Sequence, residues 1–141
     1  AFWDTARHSS SPLVATHSNA HTLCPQPRNL TDRQLLAIRD SGGVAGVNFG
    51  NAFLRADGKR DSDTPLSTIV RHIDYLINIM GDDHVALGSD FDGITLPDDL
   101  HDVSGLPRLI SALRDSGYDQ FVLNKLLWGN WQKVLQNVWQ Q

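Results

Sequence analysis

The sequence predicts an α/β fold with a parallel sheet, formed by 141 residues that make one domain or part of a larger one. Three observations predict it: three short apolar runs of strand character, amphipathic helical patterns between these runs, and short links between each predicted strand and the next predicted helix. The spacing between strands is close to that of a (β/α)8 barrel, which needs about 250 residues. We therefore expect under half of a barrel.

The three apolar runs are nearly continuous and are bounded by Gly, Pro or Asp, as in strands that are buried on both faces. They cover residues 12–16, 44–49 and 84–88. The polar stretch 55–64 is the one long loop, and loops of this kind over a barrel mouth often shape the site.

Four segments show helical patterns, with Thr31 and Asp32 as caps of the first. The segments are residues 31–42, 65–80, 104–117 and 119–139. Residues 1–7 also have an amphipathic helical pattern, so we expect them to continue a longer protein. The predicted apolar side of the last helix is Phe121, Leu127, Trp131, Val134, Leu135 and Val138. The same helix contains Trp128, Trp131 and Trp139. We expect these tryptophans to be packing residues rather than a ligand-stacking surface.

Composition and charge exclude several classes of function. The formal charge of −4 and the lack of a basic cluster argue against nucleic acid and anionic membranes as partners. Cys24 is the single cysteine, so an internal disulfide is impossible, and a role as nucleophile is not favoured. The sequence holds no apolar stretch near the ~18 residues of a transmembrane segment. We expect a soluble protein, with the cytoplasm as the favoured compartment.

Chemistry-bearing side chains follow the first and third strands. His17 comes directly after the first and Asp90 after the third, and the carboxyl ends of parallel strands share an edge where ligands bind. A carboxylate there can hold a metal, orient a water or take a proton. From the residues alone His17 is equally a metal ligand or a structural histidine. Arg28 suits a carboxylate or phosphate, although a surface ion pair or a contact to a loop carbonyl is favoured.

Other polar residues have structural interpretations that we favour. Asp92 beside Gly93 is expected to cap a turn. His72 lies inside a predicted helix and is expected to serve helix packing or a hydrogen bond between helices. His21 is four residues from His17, but the two lie in a loop, so a shared zinc on one helical face is not expected.

Four segments together resemble the membrane (renal) dipeptidase family of zinc metallopeptidases. They are SPLVATHSNAHTLCPQPRNLTD, GGVAGVNF, HIDYLINIMGDDHVALGSDFDG and GNWQKVL, and they span nearly the whole chain. The resemblance implies an amidohydrolase-like (β/α)8 barrel, of which residues 1–141 would supply strands 6–8, their helices and a terminal helix. It further implies two zinc ions and cleavage of dipeptides, including some with a D-residue at the carboxyl side.

The resemblance also implies roles for three residues. His17 matches the histidine that binds the second zinc, and Arg28 matches the arginine that binds the terminal carboxylate of the substrate. Asp90 matches an aspartate that contacts the substrate near the attacking water and serves in proton transfer. Each role suits the chemistry of its residue.

The resemblance implies that the remaining zinc ligands of the family would precede Ala1. These are a His-x-Asp pair, a bridging glutamate and a further histidine. With His17 as the one ligand, the chain is expected to bind zinc weakly and to be inactive by itself, because a catalytic site needs about three protein ligands.

Two alternatives remain open. The string ALGSDFDGIT is also similar to the Asp-x-Asp-Gly-Thr motif of haloacid-dehalogenase phosphatases, although Ile94 stands at the threonine position and only 48 residues follow Gly93. Alternatively, the chain is a non-catalytic half-barrel that acts as an interaction module. Exposed edges of its sheet would favour self-association, so a homo-oligomer is possible.

Overall fold

A computed structural model describes residues 1–139, which fold around a sheet of three parallel strands. In sheet order the strands are β1 (Val14–Ala15), β2 (Val44–Asn48) and β3 (Val85–Ser89). The α-helices are α1 (Phe2–His8), α2 (Asp32–Asp40), α3 (Asn51–Leu54), α4 (Leu66–Met80), α5 (Leu106–Asp115), α6 (Gln120–Asn124) and α7 (Asn130–Trp139). Short 3-10 turns cover Asp82–His84, Asp98–Leu100 and Val103–Gly105. None of the helices within residues 1–139 has the length and apolarity needed to cross a bilayer.

The predicted strands and helices are confirmed, with differences at their ends. β1 is shorter than predicted: the residue before it, Leu13, accepts from the N–H of Val44 in β2 at 3.2 Å but donates its own N–H to Ser41 Oγ at 2.9 Å, at the end of α2. The predicted third helix begins as a 3-10 turn and becomes α-helical only at Leu106. The short helix α3 was not predicted, because its four residues carry no helical period.

The central strand β2 is buried on both faces, as its continuous apolar run predicted, whereas Val14 of β1 is exposed. All five residues of β2 are buried. Alternate side chains point to opposite faces, so Ala45 and Val47 join the main core with helices α2, α4 and α5, whereas Val44 packs with Ala86 and Val134. The second face is therefore covered by α7.

The carboxyl-terminal helical region departs from the predicted pattern. A π-helical segment, Lys125–Gly129, lies between α6 and α7 and shifts the helical register. Phe121 is 68% exposed rather than packed, and Trp128 and Trp139 are exposed as well. The packing interpretation is thus wrong for these two tryptophans and right for Trp131, which packs against the second face of the sheet.

The outer edge of β3 is occupied by side chains of α7. Asn130 Nδ2 donates to the carbonyl oxygen of Val85 at 2.7 Å, and Trp131 Nε1 donates to that of Leu87 at 3.0 Å. These bonds satisfy two carbonyl groups that a free edge would offer to another chain.

Two glycines allow the chain after β1 to lie close to the other strands. A Cβ atom on Gly46 or on Gly88 would overlap the carbonyl oxygen of Thr16. Any larger residue at either position would displace backbone rather than a flexible side chain. The glycines therefore fix where the segment carrying His17 crosses the sheet.

Candidate active site

The ends of the three strands place the candidate residues at one edge of the sheet. The pairing is parallel throughout, and hydrogen bonds continue beyond the strands: Ser18 N–H donates to Gly46 O at 2.8 Å and Phe49 N–H to Ser89 O at 3.0 Å. His17 and Asp90 each follow a strand at this edge. The expectation that they share an edge is confirmed.

The ring of His17 has a neighbour at each nitrogen. Nδ1 lies 2.7 Å from Thr16 Oγ1, and Nε2 lies 2.9 Å from Arg28 Nη2. A guanidinium can only donate, so Nε2 must accept, and the proton resides on Nδ1 and is donated to Thr16. This neutral tautomer is the form in which Nε2 can bind a metal, and the threonine hydroxyl accepts the proton that Nδ1 donates.

Arg28 connects His17 with the cavity that contains Asp90. Its guanidinium lies 5.4 Å from the centroid of the Phe53 ring, a cation–π distance that holds the long side chain in place. The side chain itself is exposed. Among residues 1–139 it forms no ion pair, so the surface ion-pair interpretation, favoured from the sequence, is wrong.

Arg28 and Asp90 line the same cavity, which has a volume of about 530 Å³. The other lining residues are Phe53, Arg60, Asp92, Gly93, Ile94 and Thr95. Two guanidinium groups and two carboxylates thus face one space. A cavity lined by both signs of charge complements a zwitterionic ligand of small size.

Asp90 lies in a strained segment. Ser89, Asp90 and Asp92 have φ values of 38°, 72° and 65°, in the left-handed region that non-glycine residues rarely adopt. Strain of this kind persists where the surroundings enforce it and is concentrated at functional sites. The side chain of Asp92 makes no hydrogen bond within residues 1–139, so it lines the cavity and does not cap the turn as predicted.

A buried network of asparagine side chains joins the loops that carry Arg28 and Asp90. Asn48 Nδ2 donates to Asp90 Oδ2 at 2.9 Å. Asn19 Nδ2 donates to the carbonyl of Asn48 at 2.9 Å, and Asn29 Oδ1 accepts from the backbone N–H of Asn19 at 3.2 Å. All three amides are buried, so their bonds are shielded from water. The network fixes the position of Asp90 relative to the residue that follows Arg28.

Sequence reasoning missed these asparagines and also Asn51. Each stands within three residues of a strand end or beside a candidate residue, which is the one signal that could have identified it. Asn51 is fully buried, and neither Nδ2 nor Oδ1 of its amide has a partner within residues 1–139. Buried amides without a partner are rare, so Asn51 is a further candidate residue at this edge.

Two other titratable groups are structural. His72 accepts from the backbone N–H of Ala20 at 3.2 Å and donates from Nε2 to Leu54 O at 2.9 Å, and burial lowers its pKa to about 4. The prediction that His72 serves a hydrogen bond between helices is confirmed, since Leu54 lies in α3. Cys24 is buried, its Sγ donates to Ala52 O, and burial raises the pKa of its thiol. A nucleophilic cysteine needs a lowered thiol pKa and access to the substrate, so these properties do not suit that role.

The described residues do not by themselves form a metal centre. Within residues 1–139 no group of three or more His, Cys, Asp or Glu side chains is placed to hold an ion. His17 fits one position of a zinc site, because its tautomer leaves Nε2 as the acceptor. His21 does not join it in such a group.

The family model of the membrane dipeptidases, peptidase family M19, matches residues 1–141. The chain belongs to this family. The resemblance inferred from its sequence is therefore confirmed, and the phosphatase interpretation of residues 90–93 is wrong. The α/β architecture with three parallel strands agrees with part of the barrel expected for the family.

Relatives of this chain are longer than the chain itself. A Klebsiella pneumoniae protein described as an uncharacterized protein in the pqqA 5′ region is 84% identical over 141 residues, which are 100% of this chain and 52% of that protein. The Aspergillus terreus protein named dipeptidase ataJ is 36% identical over 138 residues, which are 96% of this chain and 33% of that protein.

A solved structure matches the fold closely. The metallo peptidase from Rhodobacter sphaeroides, liganded with a phosphinate mimic of the dipeptide L-Ala-D-Ala, superposes with a TM-score of 0.96 and 51% identity. The match covers 98% of this chain and 39% of that chain. The chain thus spans about half, or less, of the length of the relatives that it matches.

Proposed function

We propose that this edge of the sheet is the substrate-binding part of a zinc-dependent dipeptidase site. The observation that carries the proposal is the single cavity that Arg28 and Asp90 line together. A dipeptide is a small zwitterion, and the cavity offers a guanidinium for its carboxylate and carboxylates for its ammonium group. Membership of the dipeptidase family and the ligand named for the Rhodobacter relative support the same substrate class.

Arg28 would bind the terminal carboxylate of the dipeptide through a planar, two-pronged contact. Asp90 would contact the substrate on the other side, accept a proton from the attacking water and pass it to the amine that leaves as the amide bond breaks. Its hydrogen bond from Asn48 occupies Oδ2 and leaves Oδ1 for this transfer. Two atoms of one carboxylate would therefore have separate tasks, one in positioning and one in chemistry.

His17 would be the zinc ligand supplied by this chain. Its Nε2 would bind the metal while Nδ1–H remains bonded to Thr16, and Arg28 would then turn from His17 toward the substrate. Zinc, when bound, supplies Lewis-acid polarisation of a water or of the scissile carbonyl. The other ligands of two zinc ions would come from outside the described residues, so the 141-residue chain by itself would not hydrolyse dipeptides.

The experiment uses both the chain and its longer Klebsiella relative, in which the matched segment is 84% identical. With L-Ala-D-Ala and added zinc, we expect no turnover by the 141-residue chain above a His17→Ala control. In the longer protein, a change corresponding to Arg28→Gln should raise KM about tenfold or more, since a charge-assisted contact of about 1.5–3 kcal/mol is lost. A change corresponding to Asp90→Asn should instead lower kcat, and one corresponding to His17→Ala should lower zinc content.

Arg33→Gln is the matched control, because Arg33 stacks on Trp3 and does not line the cavity. Turnover by the isolated chain above its His17→Ala control would contradict the proposed inactivity. Unchanged kinetics of the Arg28 and Asp90 variants in the longer protein would contradict the proposed site. Lack of hydrolysis by both proteins, together with self-association of the chain, would favour the interaction-module alternative.

A further inference from the structure

A second guanidinium group lines the candidate cavity. Arg60 faces the same 530 Å³ space as Arg28, Asp90 and Asp92. Within residues 1–139 Arg60 makes no hydrogen bond and no ion pair, including none with Asp92. Its charge is therefore available to a ligand.

The loop that carries Arg60 is held by its own ion pairs. Arg55 donates to both carboxylate oxygens of Asp57, at 2.9 and 2.8 Å, and this contact holds the pKa of Asp57 well below its usual range. Arg55 also lies 3.9 Å from Asp61 and donates to Thr64 Oγ1 at 3.2 Å. The carboxylates of Asp57 and Asp61 are thus already paired with Arg55.

The far end of the loop is bound to the segment after β3. The backbone N–H of Asp98 donates to the carbonyl oxygen of Ser62 at 3.0 Å, and Thr64 is only 4% exposed. This segment continues from the cavity residues Ile94 and Thr95. Arg60 is consequently presented to the cavity by a loop that is anchored on both sides.

A dipeptide without a charged side chain would use one cation and one anion of the cavity. Arg28 would take its terminal carboxylate, Asp92 would face its ammonium group, and Asp90 would be engaged in proton transfer. Arg60 would remain, and a permanently charged guanidinium is best complemented by a further carboxylate. The volume of about 530 Å³ lies within the range of about 300–1,000 Å³ of small-ligand sites.

We propose that Arg60 is a specificity-determining residue that selects dipeptides with an acidic side chain. The inference rests on the proposed function, because it takes Arg28 as the partner of the terminal carboxylate. Arg60 makes its contact with a side-chain carboxylate that takes no part in bond cleavage. It therefore sets the preference between substrates and leaves the chemistry of cleavage unchanged.

The test compares L-Ala-D-Glu with L-Ala-D-Gln, which differ by one charge and have nearly the same shape. Binding to the 141-residue protein is measured by calorimetry or by NMR titration at low salt. We expect the acidic peptide to bind about three- to fivefold more tightly, the ratio expected for an exposed ion pair. The ratio should fall toward one in Arg60→Gln and also in 0.5 M salt, where exposed charges are screened.

Lys59→Gln is the matched control, since it removes the same charge from the neighbouring position without altering a residue that lines the cavity. It should keep the wild-type ratio. Equal binding of the two peptides, or a ratio that Arg60→Gln does not change, overturns the role of Arg60 and leaves the dipeptidase proposal intact. Failure to bind either peptide contradicts both proposals, and loss of both affinities in Arg28→Gln supports the proposed function independently.

Discussion

The hydrogen bond between Asn48 and Asp90 gives a sharp test of the site. Asn48 is 1% exposed, its Nδ2 donates to Asp90 Oδ2 at 2.9 Å, and its Oδ1 accepts from the N–H of Gly50 at 2.7 Å. Asn48→Asp keeps the shape and the acceptor for Gly50. It replaces only the donor that faces Asp90 by a second carboxylate oxygen.

The size of the effect follows from these distances. Two unit charges 2.9 Å apart repel by about 6 kcal/mol at an effective dielectric constant of about 20. Protonation of one of the two carboxyl groups removes this repulsion. At pH 7 that protonation costs about 4 kcal/mol for a carboxyl group of ordinary pKa, and at pH 4.5 it costs about 1 kcal/mol. Since Asp90 is partly exposed, screening reduces the repulsion further, and we expect a loss of about 2–4 kcal/mol at pH 7.

The assay is urea unfolding of wild type and Asn48→Asp at pH 7 and at pH 4.5. The loss of stability should shrink to about 1 kcal/mol at pH 4.5, because a protonated carboxyl group can donate to Asp90 as the amide does. Asn124→Asp is the control, since Asn124 is exposed on α6 and faces no carboxylate, and its loss should stay below about 0.5 kcal/mol at both pH values. An equal loss for Asn48→Asp at both pH values would refute the reasoning.

Two further predictions concern the elements that support the site. Burial lowers the pKa of His72 to about 4 from an ordinary 6.5, so the folded state favours the neutral ring. The contribution of His72 to the free energy of unfolding is therefore complete above pH 6.5 and decreases by about 3 kcal/mol as the pH falls through 4. In urea unfolding between pH 7 and pH 4, wild type should lose more stability than His72→Gln, which cannot titrate; equal losses would argue against a buried neutral ring. Gly88→Ala should cost about 1–3 kcal/mol because its Cβ would overlap the carbonyl oxygen of Thr16, whereas in Gly129→Ala the nearest atom to the new Cβ lies 3.2 Å away. Similar unfolding midpoints for the two alanine variants would contradict the close approach.

Local sequence patterns were enough to predict most of the elements. Strands buried on both faces leave continuous apolar runs, and the stripe in α4 repeats with the period of a helix, so both signals are contained in neighbouring residues. The π-helical segment Lys125–Gly129 was not predictable in this way. The segment contacts β3, and its wider turn leaves no fixed period in the sequence.

The candidate site was predicted in outline and not in detail. A histidine and an aspartate that follow parallel strands must meet at one edge, so His17 and Asp90 could be placed together from connectivity alone. The contact of Arg28 with His17 could not be foreseen, because the two are 11 positions apart along an irregular loop. The same holds for Arg60, whose approach to the cavity depends on the ion pairs of its loop.

The sequence by itself determined the family, the order of strands and helices, and the three residues that the family resemblance assigns to zinc and substrate. These depend on residue identity and on spacing along the chain. Only the tertiary structure decided which groups face one cavity, which carboxylates are already paired, and that buried asparagines hold Asp90. Such facts are distances between residues remote in the chain, and they are fixed by how the loops pack together rather than by any local pattern.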